Sequence, residues 1–441
     1  MEGGCFVAPK VTTEQVFGIR TEPVLSYVER ANVDGAFEQA LKTAHHIVVY
    51  GSSKQGKTAL RQKHLDDRKD CAIVRPSPRT TVENIYQSIL RNAGIKIEMV
   101  ETSRTEVGAM GRVRTGFKAM LPFLGSADTT LEGEAKGSRQ LEFRYEFIGY
   151  DFGEAQSIGE LLEKVKFKKF IVIENFHYLS AETQKQLAFD LKTFHEVGIR
   201  FIILGIWRES NRLLQFNNDL QDRIVEIPVE PWLAQDLKVV AERGSQQLNI
   251  EITPVIVEKF VENAYGNVGL FQEFLKGFCR HCGIDSIQDV RSTLASMMAV
   301  TNTFDDKLRD QRNTLLQSLT GIAARSRTRT DTDHPLILPY YLVKVILQVD
   351  LAQLRDGIDK KILLDLLRGL HHRDDKSTIR ISDVTNLLNH LPSLQEDMQP
   401  PLLYFDGNAR RLKVVDTRQF FVLARADRKE LEEEIPNPLE E

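Results

Sequence analysis

The first half of the chain alternates short apolar runs with longer segments in which apolar residues recur every three or four positions. Short apolar runs are typical of buried strands, and the three-to-four spacing is typical of helices with one buried face. Strands that alternate with helices in this way predict βαβ units and a parallel sheet. The expected fold class is therefore α/β. The segments that predict strands lie at 47–50, 71–78, 170–173 and 201–206, and directly after Arg223.

Changes in this pattern predict the domain organisation. The alternation is interrupted once inside the first half, and only helical spacing remains after residue 229. A basic, polar stretch then marks a boundary near residue 330. The predicted divisions are an irregular N-terminal segment (1–32), an α/β core (33–228) with a β-rich insertion (95–158), a helical lid (229–324), a linker (325–335), a winged-helix domain (336–425) and an acidic disordered tail (426–441).

The insertion is rich in Gly, Thr, Ser and charged residues. Alternation with a period of two at 106–121 and 139–152 predicts strands, arranged as a long hairpin. Two interpretations stay open: a contact surface for nucleic acid or a neighbouring subunit, and a solvated hairpin. The residues behind the first interpretation are Arg112, Arg114, Lys118, Lys136, Arg139 and Arg144, with Phe117 and Phe123 between them.

The C-terminal region contains a strong hairpin signal. Residues 402–416 alternate around Asp406-Gly407-Asn408, which is typical of a tight turn between two strands. Before the hairpin come two amphipathic helices and, at 378–397, a short strand followed by two short helices. This order predicts a winged helix. Its wing would carry Arg410, Arg411 and Lys413.

Composition and charge narrow the function classes. The formal net charge of −4 argues against a globally basic nucleic-acid binder, although a local basic face is compatible with it. No apolar run reaches the length of a membrane span, and the N-terminus lacks the apolar stretch of a secretory signal. The four cysteines are too few and too scattered for a disulfide framework, and Cys279 and Cys282 are expected to be buried structural thiols. These features predict a cytoplasmic protein without a membrane partner.

The most specific chemical motif is GxxxxGK[ST], which stands between the first predicted strand and a helix. In this arrangement loop N–H groups and a helix N-terminus bind phosphate oxygens, whereas the alternative interpretation is a plain Gly-Ser loop between core elements. Gly51 and Gly56 allow positive φ and a close approach of the ligand. Lys57 is expected to reach the β- and γ-phosphates, and the Thr58 hydroxyl to bind Mg²⁺. The predicted ligands are ATP and Mg²⁺, bound by Gly51, Ser52, Ser53, Lys54, Gln55, Gly56, Lys57, Thr58 and Ala59.

A carboxylate follows the predicted strand at 170–173. Because the carboxyl ends of parallel strands meet at one edge of a sheet, Glu174 is expected near the phosphate loop, where it would hold Mg²⁺ through a bound water. Asn175 stands where a second carboxylate would polarise the attacking water, and an amide cannot act as a base. Hydrolysis is therefore expected to be slow unless His177 or a residue of a partner orients the water. The alternative interpretation of His177 is a structural side chain.

Further candidate residues stand at the ends of other predicted elements, and each has two interpretations. Arg208, in the polar segment that follows the strand 201–206, would sense the γ-phosphate. Arg223, just before the last strand of the core, would contact phosphate in its own subunit or reach a neighbour as an arginine finger. The alternative for both is a surface salt bridge. Upstream of the first strand, the candidates for the adenine side are Tyr27, Val28 and Arg30, with an ordinary surface turn as the alternative.

The order of these motifs resembles that of AAA+-like ATPases. The phosphate loop, the IVIEN segment, the arginines, the helical lid and the winged helix are most similar to the branch that contains ORC/Cdc6-like and STAND ATPases. The resemblance covers roughly residues 33–423 apart from the insertion, and it implies a P-loop NTPase core that binds ATP and Mg²⁺. The chain departs from the pattern at 265–270, which contains no arginine to sense the γ-phosphate from the lid.

Two functions from different classes follow from these features. The first is an ATP-binding, slowly hydrolysing switch whose nucleotide state controls self-assembly or the binding of a partner. The second is a DNA-binding ATPase of the replication-initiator or transposition-regulator type, which would use the winged helix and the hairpin insertion. The resemblance to STAND proteins adds a separate effector polypeptide to the expected partners, beside ATP or ADP and further copies of the chain.

Overall fold

The computed structural model describes residues 10–18, 20, 22–99, 116–120, 150–151, 153–207, 210–325, 336–398 and 400–439. Within these residues, no helix is both long and apolar enough to cross a lipid bilayer. Several residues singled out above lie outside the described part of the chain. They are Arg208, the linker after Arg325, residues Arg112, Arg114, Phe123, Lys136, Arg139 and Arg144 of the insertion, and the side chains of Phe117 and Lys118.

The described residues form helices and strands in an order that changes from mixed to mainly helical after β8. The helices are α1 (Thr13–Phe17), α2 (Asp34–Leu41), α3 (Lys57–His64), α4 (Val82–Asn92), α5 (Ala155–Lys164), α6 (Ala181–Glu196), α7 (Arg212–Phe216), α8 (Ala234–Leu248), α9 (Pro254–Ala264), α10 (Val268–His281), α11 (Met297–Ala324), α12 (Leu338–Gln348), α13 (Leu351–Asp356), α14 (Lys360–Leu370), α15 (Ile381–Asn389), α16 (Leu391–Leu394), α17 (Arg418–Arg425) and α18 (Arg428–Glu433). The strands are β1 (His46–Tyr50), β2 (Cys71–Val74), β3 (Lys96–Met99), β4 (Gly116–Met120), β5 (Tyr150–Asp151), β6 (Phe170–Ile173), β7 (Phe201–Gly205), β8 (Ile224–Pro228), β9 (Ile250–Ile252), β10 (Ser292–Leu294), β11 (Ile358–Asp359), β12 (Leu403–Asp406) and β13 (Arg411–Val414).

The chain forms two compact units. The sheet unit consists of residues 31–50 and 60–228, and the helical unit consists of the residues up to 30, residues 51–59 and the chain from 229 onward. The predicted lid and C-terminal domain thus belong to one unit and share one hydrophobic core. They do so because the long helix α11 packs against both α12 and α17. The basic stretch after α11 therefore does not separate two cores.

The sheet unit is built on a five-stranded parallel sheet in the order β2-β6-β7-β1-β8. Strand β1 lies between β7 and β8, and Ile47 is opposite Ile202 on one side and Val225 on the other. Every residue of β1, β6 and β7 is buried, as expected for parallel strands covered on both faces. The predicted α/β class and its parallel sheet are confirmed. Strand β2 ends at Val74, whereas the prediction extended it to residue 78. Pro76 and Pro78 have no backbone N–H group to donate to a neighbouring strand, so the strand ends before them.

An aromatic cluster lies where β1 and β7 end. The indole of Trp207 stacks on the ring of Tyr50, with 6.0 Å between centroids and 5° between planes. Phe176 meets the same indole edge-on at 5.9 Å. Gly205 makes room for this cluster, because a Cβ atom there would lie 1.5 Å from Cζ3 of Trp207. The last residue before the phosphate loop is therefore held by an aromatic stack within the sheet unit.

The described backbone of the insertion forms an antiparallel sheet, in which β4 pairs with β3 and with β5. The strands predicted here are confirmed for these residues, while most of the hairpin at 139–152 lies outside the described part. The predicted limit at residue 158 is wrong, since α5 begins at Ala155. The helix forms because its buried residues, Ile158, Leu161 and Leu162, recur at helical spacing. The polar composition of the preceding residues concealed this pattern.

The helical unit contains two small sheets beside its helices. Strands β9 and β10 form a parallel pair, and β11, β13 and β12 form an antiparallel sheet. The predicted hairpin is confirmed, with Leu403 opposite Val414. The expectation that 229–324 is entirely helical is wrong at β9 and β10, because three-residue strands are too short to give a period. The strand expected at the start of 378–397 is also wrong, since α15 begins there at Ile381.

Both ends of the described chain are more ordered than predicted. Helix α1 stands in the segment predicted to be irregular, and a capping box between Thr12 and Gln15 starts it. The prediction of a disordered tail is wrong for α18, which Asp427 caps. Leu431 is fully buried in the core of the helical unit, so one leucine fixes an otherwise acidic segment.

Gly205→Ala is expected to lower the free energy of unfolding by about 2–3 kcal/mol, because the added methyl group overlaps the Trp207 indole. The matched control is Gly35→Ala on α2, where an added Cβ meets nothing within 4 Å. This control is expected to stabilise the protein by about 0.5–1 kcal/mol through helix propensity. Urea unfolding followed by circular dichroism compares the variants, and equal stabilities would contradict the requirement for glycine at 205.

Candidate functional site

The phosphate loop, residues 51–58, has the backbone that its sequence predicts. Gly51 and Gly56 have φ angles of 149° and 85°, and Lys54 has a φ of 60°. A side chain at Gly51 would also bring its Cβ to 2.8 Å from Cγ2 of Val229. Glycine is thus required there both by conformation and by close packing. The helix that follows begins at Lys57, so its N-terminal N–H groups are those of the loop.

The ammonium group of Lys57 is turned back onto the loop itself. Its Nζ atom donates to the carbonyl oxygens of Gly51 at 2.9 Å and Ser52 at 2.6 Å. Burial lowers the pKa of Lys57 to about 8, although the carboxylates of Glu230 and Asp416 act to raise it. The cation is therefore incompletely compensated by its surroundings, and an anion placed at the loop would stabilise it.

Buried polar side chains of the loop bind the segment that follows β8. The amide of Gln55 donates to Oε2 of Glu230 at 2.9 Å. Oε1 of the same carboxylate lies 3.0 Å from the Ser52 hydroxyl. The indole N–H of Trp232 donates to the Gln55 carbonyl oxygen at 3.4 Å. These contacts join residues of the predicted phosphate-binding motif to Glu230, an acid that sequence reasoning missed.

A segment from the C-terminal hairpin also touches the loop. The Ser52 hydroxyl lies 3.0 Å from the carbonyl oxygen of Val415, a position 363 residues away in sequence. The next residues are fixed in turn, since Asp416 pairs with Arg418 at 2.5 Å and the Asn267 amide donates to the Thr417 hydroxyl at 3.0 Å. The C-terminal contact, residues 415–418, had no signal in the sequence, because its polar partners come from distant parts of the chain.

The side chain of Lys54 also has a defined partner. Its Nζ donates to Oε1 of Glu273 on α10 at 2.6 Å, and Glu273 also pairs with Lys307 on α11. Burial raises the pKa of Glu273, but the two lysines outweigh burial and hold this pKa below its ordinary value. The loop is thus tied to two helices of the predicted lid through one shared carboxylate.

The residues predicted for the adenine side have contacts within the helical unit. The guanidinium of Arg30 lies over the Trp232 ring, 3.8 Å from its centroid, and donates to the Val229 carbonyl oxygen at 2.9 Å. The backbone carbonyl of Tyr27 accepts a hydrogen bond from Arg243 at 2.7 Å. Arg30 therefore supports the segment after β8, and a contact with a base stays a prediction.

In the sheet unit, Glu174 directly follows β6 and is buried. Its Oε1 accepts from Nη2 of Arg61 at 3.1 Å, and its Oε2 accepts from Nε of Arg75 at 2.8 Å. Arg61 is fully buried and also pairs with Asp67. Sequence reasoning missed both arginines, because nothing in the pattern of α3 marks Arg61 as buried and Arg75 follows β2 outside any motif.

The other sequence candidates of the sheet unit have structural contacts of their own. Asn175 has a φ of 55°, a left-handed conformation that asparagine tolerates better than most residues. The His177 ring is buried beside Tyr178 at 4.4 Å. Arg223 donates to the Asp219 carbonyl oxygen and lies 4.0 Å from Glu196. Asn175 is therefore explained by the turn it makes, independently of any chemistry.

Two of the C-terminal basic residues and the cysteines have structural contacts or buried positions, while Arg410 is exposed. Lys413 pairs with Asp406 at 3.0 Å, and Arg411 donates to the Gly357 carbonyl oxygen at 3.1 Å. Cys279 is buried, and burial raises the pKa of its thiol to about 12, while Cys282 is partly buried. The expectation of structural thiols fits these positions.

No protein-family model and no curated protein sequence matches this chain. Among solved structures, the Walker-type ATPase of Pyrococcus abyssi is similar at 14% identity, with 93% of this chain and 99% of that chain covered and a TM-score of 0.48. The ORC2 protein of Aeropyrum pernix is similar at 13% identity, with 96% and 98% covered and a TM-score of 0.45. The RuvB Holliday junction branch migration motor of Thermotoga maritima is similar at 13% identity, with 90% and 96% covered and a TM-score of 0.38. At these values the similarities carry no functional argument, so the proposals below rest on the residues of the chain itself.

Proposed function

We propose that the protein binds ATP at its phosphate loop and acts as a switch whose C-terminal region responds to the nucleotide. The observation that carries this proposal is the 3.0 Å distance between the Ser52 hydroxyl of the loop and the Val415 carbonyl oxygen. A loop with this spacing and context binds phosphate groups. A ligand that changes the loop must therefore also act on the segment that touches it.

The loop supplies the groups that a triphosphate needs. Positive φ at Gly51 and Gly56 allows its N–H groups to turn toward an anion, and α3 adds the partial positive charge of a helix N-terminus. We assign Lys57 to the β- and γ-phosphates and Thr58 to a magnesium ion bound with the nucleotide. Thr58 is exposed, so its hydroxyl is accessible to such an ion.

Nucleotide and C-terminal contact compete for one hydrogen-bond donor, the Ser52 hydroxyl. Lys57 Nζ donates to two loop carbonyls, and Ser52 Oγ lies beside Val415 and Glu230. Phosphate oxygens accept hydrogen bonds from ammonium and hydroxyl groups more strongly than neutral carbonyls do. A ligand shifts a conformational equilibrium toward the state that it binds better. ATP is therefore proposed to favour the state in which the C-terminal contact has left the loop.

Hydrolysis is proposed to be slow. The position after Glu174 holds Asn175, whose amide cannot take a proton from water. A slow ATPase keeps its triphosphate long enough for the bound state to control a second event. Hydrolysis to ADP then resets the switch.

A protein partner is proposed for the released C-terminal region, either a second copy of the chain or a separate effector. Helices α14 and α15 with the sheet β11-β13-β12 have the order of a winged helix. DNA is less favoured as the partner, because Lys413 already pairs with Asp406 and the chain has a net charge of −4.

Lys57→Met is expected to weaken ATP binding by roughly a hundredfold or more, because the charge-assisted contact with phosphate is lost. Isothermal titration calorimetry measures the affinity. Lys63→Met, an exposed residue of the same helix, is the matched control and is expected to bind as the wild type does. Absence of ATP binding by the wild type, or equal binding by Lys57→Met, would defeat the proposal.

Thr417→Val is expected to raise the affinity for ATP by roughly three- to tenfold, because a weaker C-terminal contact opposes nucleotide binding less. The change removes the hydroxyl that accepts a hydrogen bond from Asn267. Ser382→Ala, an exposed position on α15, serves as the control in the same titrations. Coupling between the loop and the C-terminal contact is disproved if Thr417→Val binds ATP no more tightly than this control.

A further inference from the structure

A cavity of about 850 Å³ lies within the helical unit. This volume is within the range of about 300–1,000 Å³ that is usual for small-molecule sites in proteins. One wall is a single face of α11, where polar or small residues recur at helical spacing: Thr314, Gln317, Ser318 and Gly321. The other face of this helix is buried in the core, as at Leu315 and Leu319. Helix α11 therefore gives the cavity a wall of hydroxyl and amide groups.

A second wall of the cavity is apolar. It consists of residues that precede or begin β12, namely Leu394, Met398, Pro400, Pro401 and Leu402. The charged side chains of the lining form two ion pairs, Arg325 with Asp397 at 2.6 Å and Asp416 with Arg418 at 2.5 Å. Because each pair is neutral, a charged ligand would lose its hydration without gaining a counter-charge. The lining therefore favours an uncharged ligand with one apolar side.

The lining also includes a residue with an unsatisfied polar atom. Oε1 of Gln419 is buried and accepts no hydrogen bond among the described residues. Rotation about the last carbon–carbon bond of a glutamine is soft, so this oxygen can turn toward a donor in the cavity. A buried acceptor is stabilised when it receives a hydrogen bond. An amide carries both an N–H donor and a carbonyl acceptor, so an amide ligand matches the side chains of Gln419 and Gln317.

The third side of the cavity belongs to the C-terminal contact. Asp416 is 4% exposed and lines the cavity, and it directly follows Val415, whose carbonyl oxygen lies 3.0 Å from the Ser52 hydroxyl. A molecule that fills the cavity touches α11 and the C-terminal contact together, and so holds this contact in its present position. Because a ligand stabilises the conformation that it binds, occupation of the cavity opposes any ligand that needs the contact to leave the loop.

We propose that this cavity binds an uncharged molecule that carries an amide and an apolar group, and that its occupation holds the C-terminal contact on the loop and weakens ATP binding. The binding half of the inference depends on the cavity alone, whereas the coupling half rests on the proposed function. Coupling between two binding sites is reciprocal, so ATP weakens the binding of the amide by the same factor.

The binding half is tested with N-acetyl-leucinamide, by ligand-observed NMR titration of the full chain. Saturable binding of about millimolar affinity is expected for a molecule of this size. Ser318→Phe places a ring in the cavity and is expected to weaken binding by about tenfold or more. Asn313→Phe, at an exposed position of α11 outside the cavity, is the matched control and is expected to bind as the wild type does.

A second variant and a second probe keep this test decisive. Gln419→Leu removes the amide acceptor and is expected to weaken binding by about threefold or more, so it replaces Ser318→Phe if circular dichroism shows that the latter does not fold. Acetate, which is charged, is expected to show no saturable binding. Absence of saturable binding of N-acetyl-leucinamide to the wild type, or equal binding by the wild type and the folded cavity variant, would overturn the binding half.

The coupling half is tested by calorimetric titration of ATP with and without N-acetyl-leucinamide at a saturating concentration. The amide is expected to lower the affinity for ATP by about threefold or more in the wild type and in Asn313→Phe, and to leave it unchanged in Ser318→Phe. Unchanged ATP affinity of the wild type with its cavity occupied would overturn the coupling. If the wild type does not bind ATP at all, the proposed function falls together with the coupling half, and the NMR titration still decides whether the cavity binds the amide.

Discussion

The phosphate loop depends on the rest of the helical unit to satisfy its polar groups. Ser52 and Gln55 are buried and must have hydrogen-bond partners, because an unsatisfied buried polar group is costly. Glu230, Trp232 and Val415 supply these partners from three positions outside the loop motif. A ligand of the loop would compete with these partners for the loop's hydrogen-bonding groups, and this competition is the physical basis of the proposed switch.

Two carboxylates are each paired with two cations of the chain, one carboxylate in each unit. Glu273 lies between Lys54 and Lys307 and so connects the loop to α10 and α11. Glu174 lies between Arg61 and Arg75 within the sheet unit. Both acids are paired with cations of the chain itself, whereas the ammonium group of Lys57 donates to the carbonyl oxygens of Gly51 and Ser52. An anion at the loop would therefore stabilise the buried ammonium group of Lys57.

The sequence was sufficient to predict features that depend on neighbouring residues. The five parallel strands follow from apolar runs, the positive φ of Gly51 and Gly56 follows from the loop motif, and the hairpin at 402–416 follows from its turn residues. Features that depend on pairing across long distances could not be predicted in the same way. The contact of Ser52 with Val415 and the burial of Arg61 arise from tertiary packing, and neither leaves a local pattern. Short elements such as β9 and α18 were not predicted either, because so few residues cannot show a periodic pattern of apolar positions.

Hydrogen exchange of the amides at 412–420, measured with and without ATP, tests the central claim most directly. ATP is expected to slow exchange in the phosphate loop and to speed exchange at 412–420, as the C-terminal contact leaves Ser52. Slower exchange at the loop with unchanged or slower exchange at 412–420 would contradict it, since the nucleotide would then bind without releasing the C-terminal region.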